Sequence, residues 1–369
     1  MKRTIATALA LAATATAFIP AARAQDYACA APAHAPFAGA PDLQPLRQFA
    51  TGAGVAVAVI DTGVAPSPEL PHLRAGQDFV DPASPDPLFD CDSHGTVVAG
   101  IIAGQTIGVA PGASVISIRQ TSAHYRSRDE TEFAGSLATL AAAIHNALDQ
   151  GARVINISVV SCLPPEVAPR VDLAVVEEAL ARAETQGAVV IAAAGNASDT
   201  CGQGFTVVPA HFPTVIAVGA RADAHTVASY SISAPGPEVS ADGAVPLALA
   251  SDGSGWAAGT RGARGEVAPY VGTSFAAPRV AGAVALLLER YPRLSPSQVR
   301  ELVYAAAEPR GGALDAGRLI SHLPPDDVPA SDPIVILPAA GAASSAPGKW
   351  WVALPLAALV AAASLVRRR

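Results

Sequence analysis

Ser274 follows Gly272-Thr273 and opens a run of small and apolar residues that continues through Phe275-Ala276-Ala277-Pro278 to Leu288. That run is long and apolar enough for a buried helix. Pro278 lies four residues after the serine and is read as part of the helix's first turn, where its missing N–H costs nothing. Ser274 then sits where loop becomes helix, beside unpaired N–H groups and the positive end of the helix dipole. A nucleophile placed there has an oxyanion site beside it. Asp61 ends the apolar run Val55-Ala56-Val57-Ala58-Val59-Ile60, and open α/β sheets build their sites at the carboxyl ends of strands. His94 opens a second small-residue helix, Gly95-Thr96-Val97-Val98-Ala99-Gly100. A serine hydroxyl, an imidazole to take its proton and a carboxylate to orient the imidazole are the parts of nucleophilic acyl transfer. Asn196, after Ala192-Ala193-Ala194-Gly195, offers a side-chain amide for a developing oxyanion. Singly, each has an ordinary reading: helix-capping serine, structural carboxylate, capping histidine, turn asparagine. Together they would require four coincidences.

The elements that must hold these residues alternate. Apolar strand candidates fall at 55–60, 114–118, 154–160, 188–194 and 214–219. Between them, Glu132 to Gln150 carries Phe133, Leu137, Leu140, Ile144 and Leu148 at helical spacing, with Gly151 as a stop. A further helix spans Val171 to Gln186 before Gly187. This order predicts an α/β fold: a doubly wound, mostly parallel sheet with helices on both faces.

The chain has 369 residues, 51% hydrophobic and 15% charged, enough for one large core. A net charge of −7 with only two lysines argues against nucleic acid as a partner. Residues 1–24 read as a cleaved signal peptide: Lys2-Arg3, an apolar stretch from Ile5 to Ile19, and Ala22-Arg23-Ala24. Residues 25–52 form an aperiodic N-terminal extension, and 53–320 the catalytic domain. Residues 321–349 are a proline-rich linker. Residues 350–366 form an uncharged apolar run opened by Trp350-Trp351, and Arg367-Arg368-Arg369 close the chain. Aromatic residues at one end and arginines at the other predict a C-terminal transmembrane helix with a cytoplasmic tail of residues 367–369. The protein would be single-pass at the cell membrane, its catalytic domain extracytoplasmic.

Export makes four cysteines informative, because oxidising compartments favour disulfides. Three pairings are possible. Cys162 follows strand 154–160 and Cys201 follows strand 188–194, on the same edge of a parallel sheet. That geometry favours Cys162–Cys201 and leaves Cys29 for Cys91, tying the N-terminal extension to the loop before His94. No Cys or His spacing suits a metal, and no cofactor motif is present. Asp92 is read as a solvated loop carboxylate, near enough to His94 to tune it. His72, His124, His145, His211, His225 and His322 lack motif context.

The blocks around Asp61, His94, Asn196 and Ser274 resemble, in order, those of the subtilisin-like serine proteases. The resemblance implies a subtilisin-like fold, an Asp61-His94-Ser274 triad and an oxyanion hole containing Asn196. It also implies that Ser158, Val159 and Val160 bind protein or peptide substrates by strand addition, with Val160 narrowing a pocket where many relatives have glycine. The segment from Gly104 to Pro111 is too short for the calcium insertion many of them carry. The signal, the short extension, four cysteines, the linker and the single span together resemble a narrower group, the mycosins, which are membrane-anchored proteases of type VII secretion systems. That likeness implies an endopeptidase acting on exported proteins, in association with a secretion membrane complex. Its alternative is an assembly subunit of that complex whose catalysis is dispensable.

Overall fold

A computed structural model describes residues 29–124, 135–223, 225–237, 239–262 and 264–321. The segments read as signal peptide, linker, transmembrane helix and cytoplasmic tail lie outside these residues, save Ser321 at the linker's start. Of the extension, residues 29–52 are described. Among the described residues no helix is long and apolar enough to cross a membrane.

The strands, in chain order, are β1 Ala31–His34, β2 Ala56–Asp61, β3 Leu73–Asp78, β4 Ser114–Arg119, β5 Val154–Ile157, β6 Ser161–Leu163, β7 Val189–Ala193, β8 Thr206–Val208, β9 Val215–Arg221, β10 Val239–Asp242, β11 Ala244–Val245, β12 Ala248–Leu249, β13 Trp256–Arg261 and β14 Val267–Val271. The α-helices are α1 Gln44–Arg47, α2 His94–Ala103, α3 Leu137–Asp149, α4 Ala174–Thr185, α5 Thr273–Arg290, α6 Pro296–Ala306 and α7 Ala316–Ser321.

Seven strands form one sheet in the order β10-β9-β7-β5-β2-β4-β3, parallel at every pairing. All five predicted strands are in it, as a parallel sheet buried on both faces requires. Side chains alternate between the two faces. Val57 and Val59 of β2 join a core with α2, α5 and α6, and Ala58 and Ile60 join one with α3 and α4. The period of two therefore points Asp61 toward the α2/α5 face, where His94 and Ser274 begin their helices.

Several boundaries differ from the sequence reading. Helix α3 begins at Leu137, because Gly135 turns at φ +83° and the Ser136 side chain caps Thr139 N–H. Strand β5 stops at Ile157, and the next three residues pair with no strand before β6 joins β8. Helix α5 begins at Thr273, one residue before the serine. Pro278 is therefore inside the helix, not in its first turn.

The extension, read as aperiodic, supplies a strand. β1 pairs antiparallel with β13 in a second sheet of order β1-β13-β14-β11, with β12 beside β13. The Cys29–Cys91 disulfide fixes its start, with Cα atoms 4.5 Å apart. Its end is held by the Glu289 carboxylate, which accepts from the Thr51 and Gly52 N–H groups at 2.6 Å. Replacing Cys29 and Cys91 together by serine should lower the unfolding free energy by about 2–5 kcal/mol, read as a lower urea midpoint. An unchanged midpoint would mean that strand pairing alone holds the extension.

Candidate active site

His94 Nδ1 lies 2.7 Å from Asp61 Oδ1. Asp61 is fully buried, and the same oxygen accepts the Thr62 N–H at 2.8 Å. Helix α2 reaches this strand end because residue 95 is glycine: a Cβ there would come within 2.0 Å of the Gly63 carbonyl oxygen and 3.1 Å of Asp61 Oδ1. Ser93, before the helix, takes the left-handed conformation at φ 60° and makes no side-chain cap.

Ser274 lies in the first turn of α5, where its N–H has no intrahelical acceptor. Phe275, the next residue, packs its ring 5.1 Å from the imidazole of His94, centroid to centroid. The Ser274 hydroxyl donates to the Ser158 carbonyl at 3.0 Å, and no hydrogen bond joins it to His94 Nε2. The contact is reciprocal, since Ser158 Oγ donates to the Ser274 carbonyl at 2.8 Å. Pro278 explains the second bond: lacking an N–H, it cannot serve the carbonyl four residues back, and Ser158 takes its place. Asn156 Nδ2 donates to Ser158 Oγ at 2.9 Å and directs its proton to the helix.

Asn196 is exposed, and its Oδ1 accepts from Thr273 N at 3.0 Å and Thr273 Oγ1 at 3.1 Å. A backbone N–H is only a donor, so this atom must be the amide oxygen. The Nδ2 donor lies beside Gly272 at the same end of α5: a Cβ on that glycine would come within 3.1 Å of it. On the other side, Val159 and Val160 line a cavity of about 230 Å³ with Gln120, Thr121, Gly135, Leu140 and Ser161. The Cys162–Cys201 disulfide ties β6 to the segment between β7 and β8, with Cα atoms 5.6 Å apart.

The electrostatics favour a protonatable imidazole. Burial alone would lower the His94 pKa. The charge and hydrogen bond of Asp61, with smaller contributions from Asp90 and Asp92, outweigh it and raise the pKa above its ordinary 6.5. Asp92 thus reaches His94 electrostatically, while its carboxylate is held by the Ser122 hydroxyl and the Ala123 N–H. Asp90 went unnoticed in the sequence reading; its only signal there is a carboxylate four residues before a histidine that starts a helix.

A general base must be neutral, so a raised pKa places the acidic limb of kcat/KM above 6.5. Asp61→Asn should move that limb to lower pH and reduce kcat by about 10⁴. A limb at or below 6.5 that ignores the substitution would remove Asp61 from the picture.

Comparison with other proteins places this geometry. The Subtilase family model matches residues 52–322. Mycosin-1 of Mycobacterium tuberculosis is 38% identical over 304 residues, 73% of this chain and 67% of that protein. A crystal structure of MycP1 from the ESX-1 type VII secretion system superposes with a TM-score of 0.73 at 32% identity, covering 83% of this chain and 92% of that one. A chain in the intact ESX-5 inner membrane complex superposes with a TM-score of 0.72 at 29% identity, covering 92% and 93%. With a matching model over most of its length and this sheet beneath it, the chain belongs to the subtilase family of serine peptidases.

Proposed function

We propose that the protein is a membrane-tethered endopeptidase that cleaves exported proteins, with Asp61, His94 and Ser274 as its triad. The observation that carries this reading is the 2.7 Å Asp61–His94 hydrogen bond beside a serine at a helix N-terminus. The serine hydroxyl now rests on the Ser158 carbonyl. Rotation about χ1 turns it toward His94 Nε2. The imidazole takes its proton as Oγ attacks the peptide carbonyl, and Asp61 stabilises the imidazolium. The Ser274 N–H and Asn196 Nδ2 bind the oxyanion. His94 then protonates the leaving amine, and water releases the acyl group by the same steps. The backbone at Ser158, Val159 and Val160, which pairs with no strand, receives the substrate as an added strand.

A fluorophosphonate probe should label the purified ectodomain, about residues 25–325, and Ser274→Ala should abolish labelling. Labelling that survives would assign the nucleophile elsewhere.

The surroundings follow from the ends of the chain and from the relatives. The signal peptide exports the protein, and residues 350–366 anchor it with Arg367 to Arg369 inside. The likeness to mycosins, and to a chain in a type VII membrane complex, supports a place at that machinery. The same likeness favours a second reading, an assembly subunit in which catalysis is dispensable. In the native host, Ser274→Ala should block substrate processing; secretion that falls only when the whole chain is deleted would support the assembly role as well. Truncation before Trp350 should release active enzyme into the medium. A truncated form that stays in the washed membrane would overturn the anchor.

A further inference from the structure

Asp90 is a nearly buried carboxylate, 5% exposed, to which the proposed mechanism gives no task. It sits between the two elements that carry the acid–base pair. Its Oδ2 accepts from Thr96 N at 2.8 Å and Thr96 Oγ1 at 2.6 Å, in the first turn of α2. Its Oδ1 accepts from Thr62 Oγ1 at 2.8 Å, just past the end of β2, and from Asp92 N at 3.2 Å. Every partner is a donor. Two are backbone N–H groups. The Thr96 hydroxyl accepts from Ala65 N at 2.9 Å, which leaves its proton for Asp90. Four donors on one carboxyl group are the pattern of an ionised carboxylate.

The Thr62 hydroxyl faces a choice. It accepts from Gly95 N at 3.0 Å, so its single proton can go to one of two acceptors. Asp90 Oδ1 stands at 2.8 Å and Asp61 Oδ1 at 3.2 Å. The shorter bond wins while Asp90 is charged. Remove that charge and the proton turns to Asp61, whose Oδ1 already serves His94 Nδ1. An added donor there would stabilise the carboxylate by itself and weaken its hold on the imidazolium.

We propose that Asp90 is a positioning residue for the acid–base pair: it draws the Thr62 hydroxyl away from Asp61 Oδ1, reserving that oxygen for His94, and it anchors the turn from which His94 projects. It also does for α2 what Ser93 does not, capping the Thr96 N–H at the helix start while Thr62 caps Gly95. The ionisable groups facing this cluster are Asp61 on β2, Asp92 in the same loop, His94 on α2 and Tyr270 on β14. Burial, with the charge of Asp90, pushes the Tyr270 phenol up to about 12, which keeps it neutral. Burial also raises the Asp90 pKa, against the hydrogen bonds from Thr96 and Thr62, and the charge of Asp61 adds to the rise.

The inference rests on the triad reading, and its test separates the two. The ectodomain with Asp90→Asn should lose kcat with little change in KM, and its acidic limb should move to lower pH. Thr62→Val removes the competing donor and should leave the limb at or above its wild-type position; in that background Asp90→Asn should move the limb less than it does alone, because no hydroxyl proton is left to turn toward Asp61. Thr62→Ser keeps the hydroxyl and should behave as wild type, which guards against a folding defect. If Asp90→Asn lowers the melting temperature but leaves kcat and the limb alone, or if it moves the limb equally with and without the Thr62 hydroxyl, Asp90 does not act through this proton and is not a positioning residue. If Asp61→Asn also leaves the limb unmoved, the triad reading has failed instead.

Discussion

The site depends on a charge buried at the end of an apolar strand. Asp61 is fully buried, and an unpaired carboxylate in such a place is costly unless donors reach it. The turn after β2 supplies one, the Thr62 N–H, and α2 supplies the imidazole. The rest of the carboxylate has less support: Oδ2 is buried without a hydrogen-bond partner among the described residues. The group is thus held through one oxygen, and what competes for that oxygen governs how strongly it acts on His94. This is why the turn after β2 and the start of α2 must be fixed to each other and not merely adjacent.

Small residues make that closeness achievable. Helix α5 runs through the centre of the molecule, with its residues from Phe275 to Leu288 almost all buried. It lies against α2 and beneath the sheet with little space: a Cβ on Gly282 would come within 2.7 Å of Val109 Cβ. Alanine and glycine let α2 and α5 approach closely, and large aliphatic residues fill the two cores. The same compactness explains the reciprocal Ser158–Ser274 pair. Where the proline opens a gap in the helix's own hydrogen bonds, the neighbouring strand end is near enough to close it.

The sequence pattern revealed the sheet because five of its strands are short apolar runs separated by helices, and this was enough to order Asp61, His94 and Ser274 along the chain. It missed β3 and β10, which lie at the sheet edges and carry charged or polar residues: β3 reads Leu-Arg-Ala-Gly-Gln-Asp. Strand β3 is retained by a tertiary contact, the Asp78–Arg119 ion pair at 3.0 Å with both side chains buried. The second sheet was missed for another reason. β1 and β13 are more than 200 positions apart, and neither has a local hydrophobic period, so only the folded chain shows that they pair. Asp90 and the Thr62 hydroxyl were invisible for a third. Each looks like an ordinary polar loop residue until burial removes water and makes the direction of a single proton matter.

The loop before His94 shows how these constraints converge. Three consecutive residues bind three different parts of the molecule. Asp90 grips the ends of β2 and α2, Cys91 is bonded to the N-terminal extension, and Asp92 holds Ser122 and Ala123 beyond β4. Each tie alone would leave the loop a hinge. Together they remove its freedom, and the histidine that follows inherits a fixed direction. An imidazole on a movable loop would lose most of what the Asp61 carboxylate offers it. Here the extension bears on the site from outside it. Its strand and disulfide stiffen the segment from which His94 projects toward Asp61.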